Sequence, residues 1–289
     1  MKDSKYWSKM NRNEYYSDDS VLFEIVKCLG GRETVFLGKK NEEERITIRC
    51  IKAHSVKFLV ENMKAFNFLK YDLNIYYSLA HLYAMPMFSF YLKERKEQQA
   101  VFNDNFLKYM TGFDFAIDFD NHLYDEETKT NKILPTAQVL EDVKTVVEVF
   151  DDYQIPYSVR CSGSGFHINV ESKHFEPLKI NNELQLFASI NKKLSDIFIL
   201  SSICGSTKAY DKRMIWKCPY SHDYKSGNVA LPLSPEQVEN FDFGMVKPET
   251  IIKNGIRNRG ILERKGSSKG IMDFIREYQI VEEEQIGAE

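Results

Sequence analysis

The sequence predicts an α+β fold, with mixed or antiparallel sheets flanked by helices. Three observations carry that expectation. Residues 113–120 alternate with period two: Phe113, Phe115, Ile117 and Phe119 fall on one side of an extended chain, and Asp114, Ala116, Asp118 and Asp120 on the other. Residues 137–152 place Val139, Leu140, Val143, Val146, Val147 and Phe150 at helical spacing. Two strand-like runs, 157–161 and 166–170, are joined by the short turn Ser162-Gly163-Ser164-Gly165. Sheet elements interrupted by helices make an α+β domain.

The remaining elements follow in order. Residues 1–20 read as a helix or arm, and residues 21–29 as a helix stopped by Gly30-Gly31. Residues 34–37 and 45–50 read as the strands of a hairpin with a charged turn. Val56, Phe58, Leu59, Met63 and Phe66 mark a helix over 55–67, and the aromatic run 72–83 a strand. Segment 92–99 is charged and reads as a loop tip, and 121–135 as a polar loop. A helix over 181–199 and a strand over 213–217 come next. Ser234-Pro235-Glu236-Gln237 combines an N-cap serine, a first-turn proline and a capping-box glutamine. Residues 247–276 are basic and lead into Glu282-Glu283-Glu284. We read 1–289 as one catalytic domain, its core at about 15–250 and an extension at 251–289.

The chain has 289 residues, 43% of them hydrophobic and 13% aromatic, and a net charge of −3. Nucleic-acid contact must therefore come from local basic patches. Cys28, Cys50, Cys161, Cys204 and Cys218 form no Cys-x-x-Cys pair. Without a signal peptide or an apolar membrane span, an intracellular compartment (cytoplasm, nucleoid or nucleus) is expected, not secretion.

Two motifs bear chemistry. Asp118 and Asp120 stand about 6–7 Å apart along one strand face. Two such carboxylates suit a divalent cation, though an acidic strand end running into residues 121–127 would look the same. Ser162-Gly163-Ser164-Gly165-Phe166-His167 offers backbone N–H groups, hydroxyls and an imidazole to an anion. By itself it is equally a hairpin turn with a strand histidine.

The order of these parts resembles the catalytic small subunit of the archaeo-eukaryotic primase superfamily. Asp118 and Asp120 resemble its Asp-x-Asp strand, and Ser162 with His167 its Ser-x-His element. Residues 217–227, Lys-Cys-Pro-Tyr-Ser-His-Asp-Tyr-Lys-Ser-Gly, resemble its basic residue before a Pro-x-Ser turn. Gly31-Arg32-Glu33 and Ile48-Arg49 resemble a pair of upstream strands. The likeness covers about 15–250.

The resemblance implies a template-directed nucleotidyltransferase that makes short RNA or DNA primers by two-metal phosphoryl transfer, using Mg²⁺ or Mn²⁺. It implies metal ligation by Asp118 and Asp120, and nucleotide binding by Arg32, Ser162, Gly163, Ser164, His167, Lys217, His222 and Asp223. Single-stranded DNA and nucleoside triphosphates are the expected partners, with a primase large subunit or other replication proteins as further ones. A gap-filling or translesion polymerase of the same superfamily, or a non-catalytic nucleic-acid-binding subunit, are the alternatives. Zinc is not expected, because 121–135 holds no cysteine and Cys204 and Cys218 lack ligand spacing. Ungapped alignment places the third carboxylate at Gly205, so Asp211, six residues before Lys217, is the expected replacement; Asp196, on a helix, is the weaker one.

Overall fold

The computed structural model describes residues 10–39, 44–51, 53–83, 108–125, 130–176, 182–203, 210, 211, 213–256 and 262–280. The charged segment 92–99 lies outside them.

Helix α1 (Arg12–Tyr16) opens on a capping box between Asn11 and Glu14. Helix α2 (Asp19–Leu29) is capped by Asp18 and stops at Gly30, before Gly31 takes φ +68°. The chain turns into β1 (Arg32–Lys39) and returns as β2 (Arg45–Ile51), the expected hairpin. Ser55 caps α3 (Val56–Ala65), and β3 (Asn74–Leu82) follows.

Residues 113–120 depart from the single alternating strand. Strand β4 (Met110–Phe113) pairs with β3, whereas β5 (Phe115–Phe119) pairs with a strand of a different sheet. The chain changes sheets at Asp114. Its N–H donates to Leu79 O, and its side chain is fully buried. The expected polar loop contains a hairpin, β6 (His122–Asp125) and β7 (Thr130–Ile133).

Helix α4 (Thr136–Asp152), β8 (Ser158–Cys161), β9 (Phe166–Val170) and α5 (Glu183–Phe198) follow the sequence pattern closely. Then come β10 (Ile215–Lys217), β11 (Pro232–Leu233), α6 (Pro235–Glu239), α7 (Pro248–Asn254) and α8 (Ser268–Glu277). Ser234 and Gln237 form the expected capping box at α6.

One sheet has the order β10-β3-β1-β2, with β4 also on β3; the other runs β11-β8-β9-β5. Every pairing within them is antiparallel. The fold is α+β, with antiparallel sheets flanked by helices.

In the second sheet, Phe115 packs on Phe187 of α5, and Val139, Val143 and Phe150 of α4 are buried. The alternate face carries Asp118, Arg160, His167 and Asn169, and it turns toward the first sheet rather than to solvent. Arg160 lies over the rings of Tyr77 in β3 and Trp216 in β10. The two sheets therefore meet across a polar layer that opens at the end of β5.

The region expected as an extension is packed on this body in its described residues. Ile271, Phe274 and Ile275 of α8 are buried, and Phe274 meets Phe150 and Tyr153 of α4. Gly270 lies against the Tyr153 carbonyl, so close that a Cβ would overlap it.

Candidate active site

The C-terminal ends of β5 and β8 and the start of β9 share one end of the second sheet. Asp118 of β5 is the register partner of His167 of β9. Partners directly opposite on antiparallel strands bring their side chains onto the same face. His167 Nε2 stands 3.3 Å from Asp118 Oδ1. Behind it, Arg160 Nε donates to His167 Nδ1 at 3.1 Å, and Arg160 Nη1 donates to the Tyr77 hydroxyl at 2.6 Å. The Trp216 ring covers the imidazole with centroids 4.1 Å apart. Burial pushes the His167 pKa down to about 4, and the neighbouring Asp118 carboxylate does not restore it. His167 is thus neutral near pH 7.

The turn beside it is held from behind. Ser162 N–H donates to Gly165 O at 2.8 Å, and Gly163 takes φ +111°, a conformation that favours glycine. Lys217 Nζ donates to Ser162 O at 2.8 Å, and Asn228 Nδ2 to Gly163 O at 2.7 Å. Lys247 Nζ in turn donates to Asn228 Oδ1 at 2.9 Å. The carbonyls of Ser162, Gly163 and Gly165 are therefore engaged, while Ser164 N–H and Gly165 N–H meet no acceptor among the described residues. Gly165 rests on the Phe119 carbonyl, where a Cβ would overlap the oxygen. That contact sets the turn against the strand end between Asp118 and Asp120.

Lys217 also pairs with Asp223 at 2.9 Å. Burial would raise the Asp223 pKa, but Lys217 and Ser226 bring it below the usual carboxylate range. Asn74 Nδ2 donates to Asp223 as well, at 2.8 Å. Asp118, Ser162, Gly163, Ser164, His167, Lys217 and Asp223 are thus joined in one neighbourhood. Asp120 flanks it from the end of β5, with Oδ1 accepting from His122 N–H at 3.1 Å.

Three expected site residues lie elsewhere. Arg32 is buried and turns to Asp114, with Nη2 at 2.5 Å, so its charge is taken by a carboxylate and it does not face the turn. His222 packs on Tyr15, with ring centroids 5.8 Å apart. Both its ring nitrogens are buried without a hydrogen-bond partner among the described residues. Asp211 is exposed and folds its carboxylate back onto Arg213 N–H at 2.8 Å. Among the described residues no group of three His, Cys, Asp or Glu side chains is placed to hold a metal, so Asp211 does not complete the pair.

The basic C-terminal patch is likewise reduced. Arg264 pairs with Asp151 at 3.1 Å, while Lys253 and Lys265 are exposed; Arg257 and Arg259 lie outside the described residues. Arg160, Trp216, Asn228 and Lys247 were not legible as site residues. The one available signal was the register of the hairpin turn, which sets Arg160 directly opposite His167.

The two carboxylates fit a divalent cation that takes its remaining ligands from elsewhere. Asp118 Oδ2 and Asp120 Oδ2 take no donor among the described residues, and both carboxylates are half-exposed. One or two carboxylates plus substrate phosphates is the ordinary way proteins hold Mg²⁺. No described helix is long and apolar enough to cross a membrane.

No family model matches the chain, and no curated protein matches it either. Solved structures do match. One is the polymerase domain from Mycobacterium tuberculosis Ligase D in complex with DNA, at 12% identity and a TM-score of 0.46. The similarity covers 91% of this chain and 87% of that one.

Proposed function

We propose that this chain is a nucleotidyltransferase that extends or initiates a strand on a single-stranded DNA template, using nucleoside triphosphates and Mg²⁺ or Mn²⁺. One observation carries the reading. Asp118 and the Ser162–His167 anion element, more than forty residues apart in sequence, meet at one sheet end with Asp118 and His167 as cross-strand partners. The resemblance to the primase small subunit rests on those same residues.

In this reaction a terminal hydroxyl oxygen bonds to the α-phosphorus, the bond from that phosphorus to the bridging oxygen breaks, and pyrophosphate leaves with the electron pair. Ser164 N–H, Gly165 N–H and the Ser162 and Ser164 hydroxyls would donate to the departing phosphates. The single N–H of neutral His167, which faces Asp118 Oδ1 in the free protein, would turn to a phosphate oxygen once the cation takes that carboxylate. Lys217, which bridges Ser162 O and Asp223, holds the turn in place beneath these phosphates. Asp118 and Asp120 would hold the cation, which lowers the hydroxyl pKa and stabilises charge on the phosphoryl oxygens. The hydroxyl proton leaves to solvent.

A second reading, nucleotide and DNA binding without transfer, is favoured by one observation: Asp211 is turned outward, and among the described residues no third carboxylate stands beside the pair. Incorporation of labelled dNTP or NTP with Mn²⁺, on primed and unprimed single strands, separates the two. Transfer by the wild type, lost in Asp118→Ala and Asp120→Ala without loss of fold, is the expected result. Triphosphate binding without transfer would select the second reading. Absence of Mn²⁺-dependent triphosphate binding would overturn both. Trp216, against His167, supplies a fluorescence readout of binding.

A further inference from the structure

Arg160 is 3% exposed, yet it makes no ion pair among the described residues. Its Nη2 is buried without a hydrogen-bond partner there. A buried cation without a carboxylate is costly, and an apolar side chain of similar volume would fill the space better. What Arg160 does instead is directional. Its guanidinium is set between the rings of Tyr77 and Trp216, 5.3 and 5.7 Å from their centroids. Nη1 is fixed by the Tyr77 hydroxyl, and Nε points at His167 Nδ1 at 3.1 Å.

Arginine only donates. His167 Nδ1 must then be the unprotonated, accepting nitrogen, and a neutral imidazole carries its one proton on Nε2. That nitrogen faces Asp118 Oδ1 and the open end of the sheet. We infer that Arg160 is a positioning residue that holds His167 in the Nε2–H tautomer, so that His167 serves the site as a proton donor to oxygen and never as an acceptor. The hydrogen bond to Asp118 Oδ1 leaves Oδ2 of that carboxylate for other ligands. The unpaired guanidinium, one residue behind, makes the pocket attractive to a polyphosphate. The polyphosphate role rests on the function proposed above; the tautomer lock does not.

The test uses the full chain labelled with ¹⁵N-histidine, with His167 assigned by the loss of its signals in His167→Gln. Long-range ¹H–¹⁵N correlation at neutral pH should show a pyrrole-type Nε2 and a pyridine-type Nδ1. In Arg160→Met the tautomers should mix, and affinity for ATP with Mn²⁺ should fall about tenfold. Arg160→Lys, which keeps a donor but not the planar fork, should recover part of both. A wild-type Nδ1–H tautomer would overturn the inference whether or not the variants fold. So would an Arg160→Met protein that keeps a pure Nε2–H signal. A wild type with Nε2–H that binds no ATP would refute the nucleotide reading and leave the tautomer lock standing.

Discussion

Asp114 and Asp118 lie four residues apart, on what reads in sequence as one face of one strand, and the fold treats them oppositely. Asp114 sits where the chain changes sheets and is fully buried. It accepts from Arg32 at 2.5 Å, His81 at 2.7 Å, Ser172 N–H at 2.9 Å and Asn169 at 3.3 Å. Burial would raise its pKa, but Arg32 and His81 bring it down to about 2. Asp118 has a side chain 41% exposed and, among the described residues, faces one donor, His167. A carboxylate whose lone pairs are filled by the protein has nothing left for a ligand, whereas one with an unclaimed oxygen does. Chemistry is therefore expected of Asp118, and of Asp114 only the joining of the two sheets.

Asp114→Ala should give the largest effect. It leaves Arg32 buried without its counter-ion, and stability should fall by about 3–5 kcal/mol in urea unfolding. Asp118→Ala should change stability by less than about 0.5 kcal/mol; comparable losses in the two variants would break the contrast. Gly165→Ala comes next, at about 3 kcal/mol, because its Cβ meets the Phe119 carbonyl, a backbone atom that cannot turn aside. Anion binding should fall with it.

Acid offers a third test. The folded Asp114 pKa of about 2 lies below its ordinary 3.8, so its contribution is complete above about pH 4 and disappears as pH falls through 2. That slope should amount to about 2 kcal/mol and should be absent in Asp114→Asn, measured against wild type over the same range. The smallest effect is metal-dependent. Mn²⁺ at about five times its dissociation constant should stabilise the wild type by about 1 kcal/mol. Calorimetric scans of Asp118→Ala and Asp120→Ala should show no such gain, while a gain retained in both would place the cation elsewhere.

Much of the fold was legible because period and caps are local signals. The stripe of α4, the capping box at Ser234 and the turn between β8 and β9 each depend on neighbours within a few residues. The break at Asp114 was not, because alternation continues unbroken through it; only the tertiary position of Arg32 and His81 explains the change of sheet. The site divides in the same way. Asp118, Ser162 and His167 stand in a recognisable order, and the structure joins them. Arg32 has the right charge, but pattern cannot reveal that a buried aspartate already claims it. Asp211 was chosen by its distance from Lys217 along the chain, whereas the turn at Arg213 supplied a nearer partner. Lys247 and Asn228 support the turn from loops that carry no periodic pattern.

Helix α8 covers the face of α4 near Phe150 and Tyr153, and the strap before it anchors through Arg264 N–H to Tyr157 O. During synthesis on the ribosome α4 emerges well before α8, so that part of its apolar face stays uncovered while the strands of the site are already being made. A chain released before residue 268 would carry that face bare, and it would be a natural point of capture for chaperones and proteases.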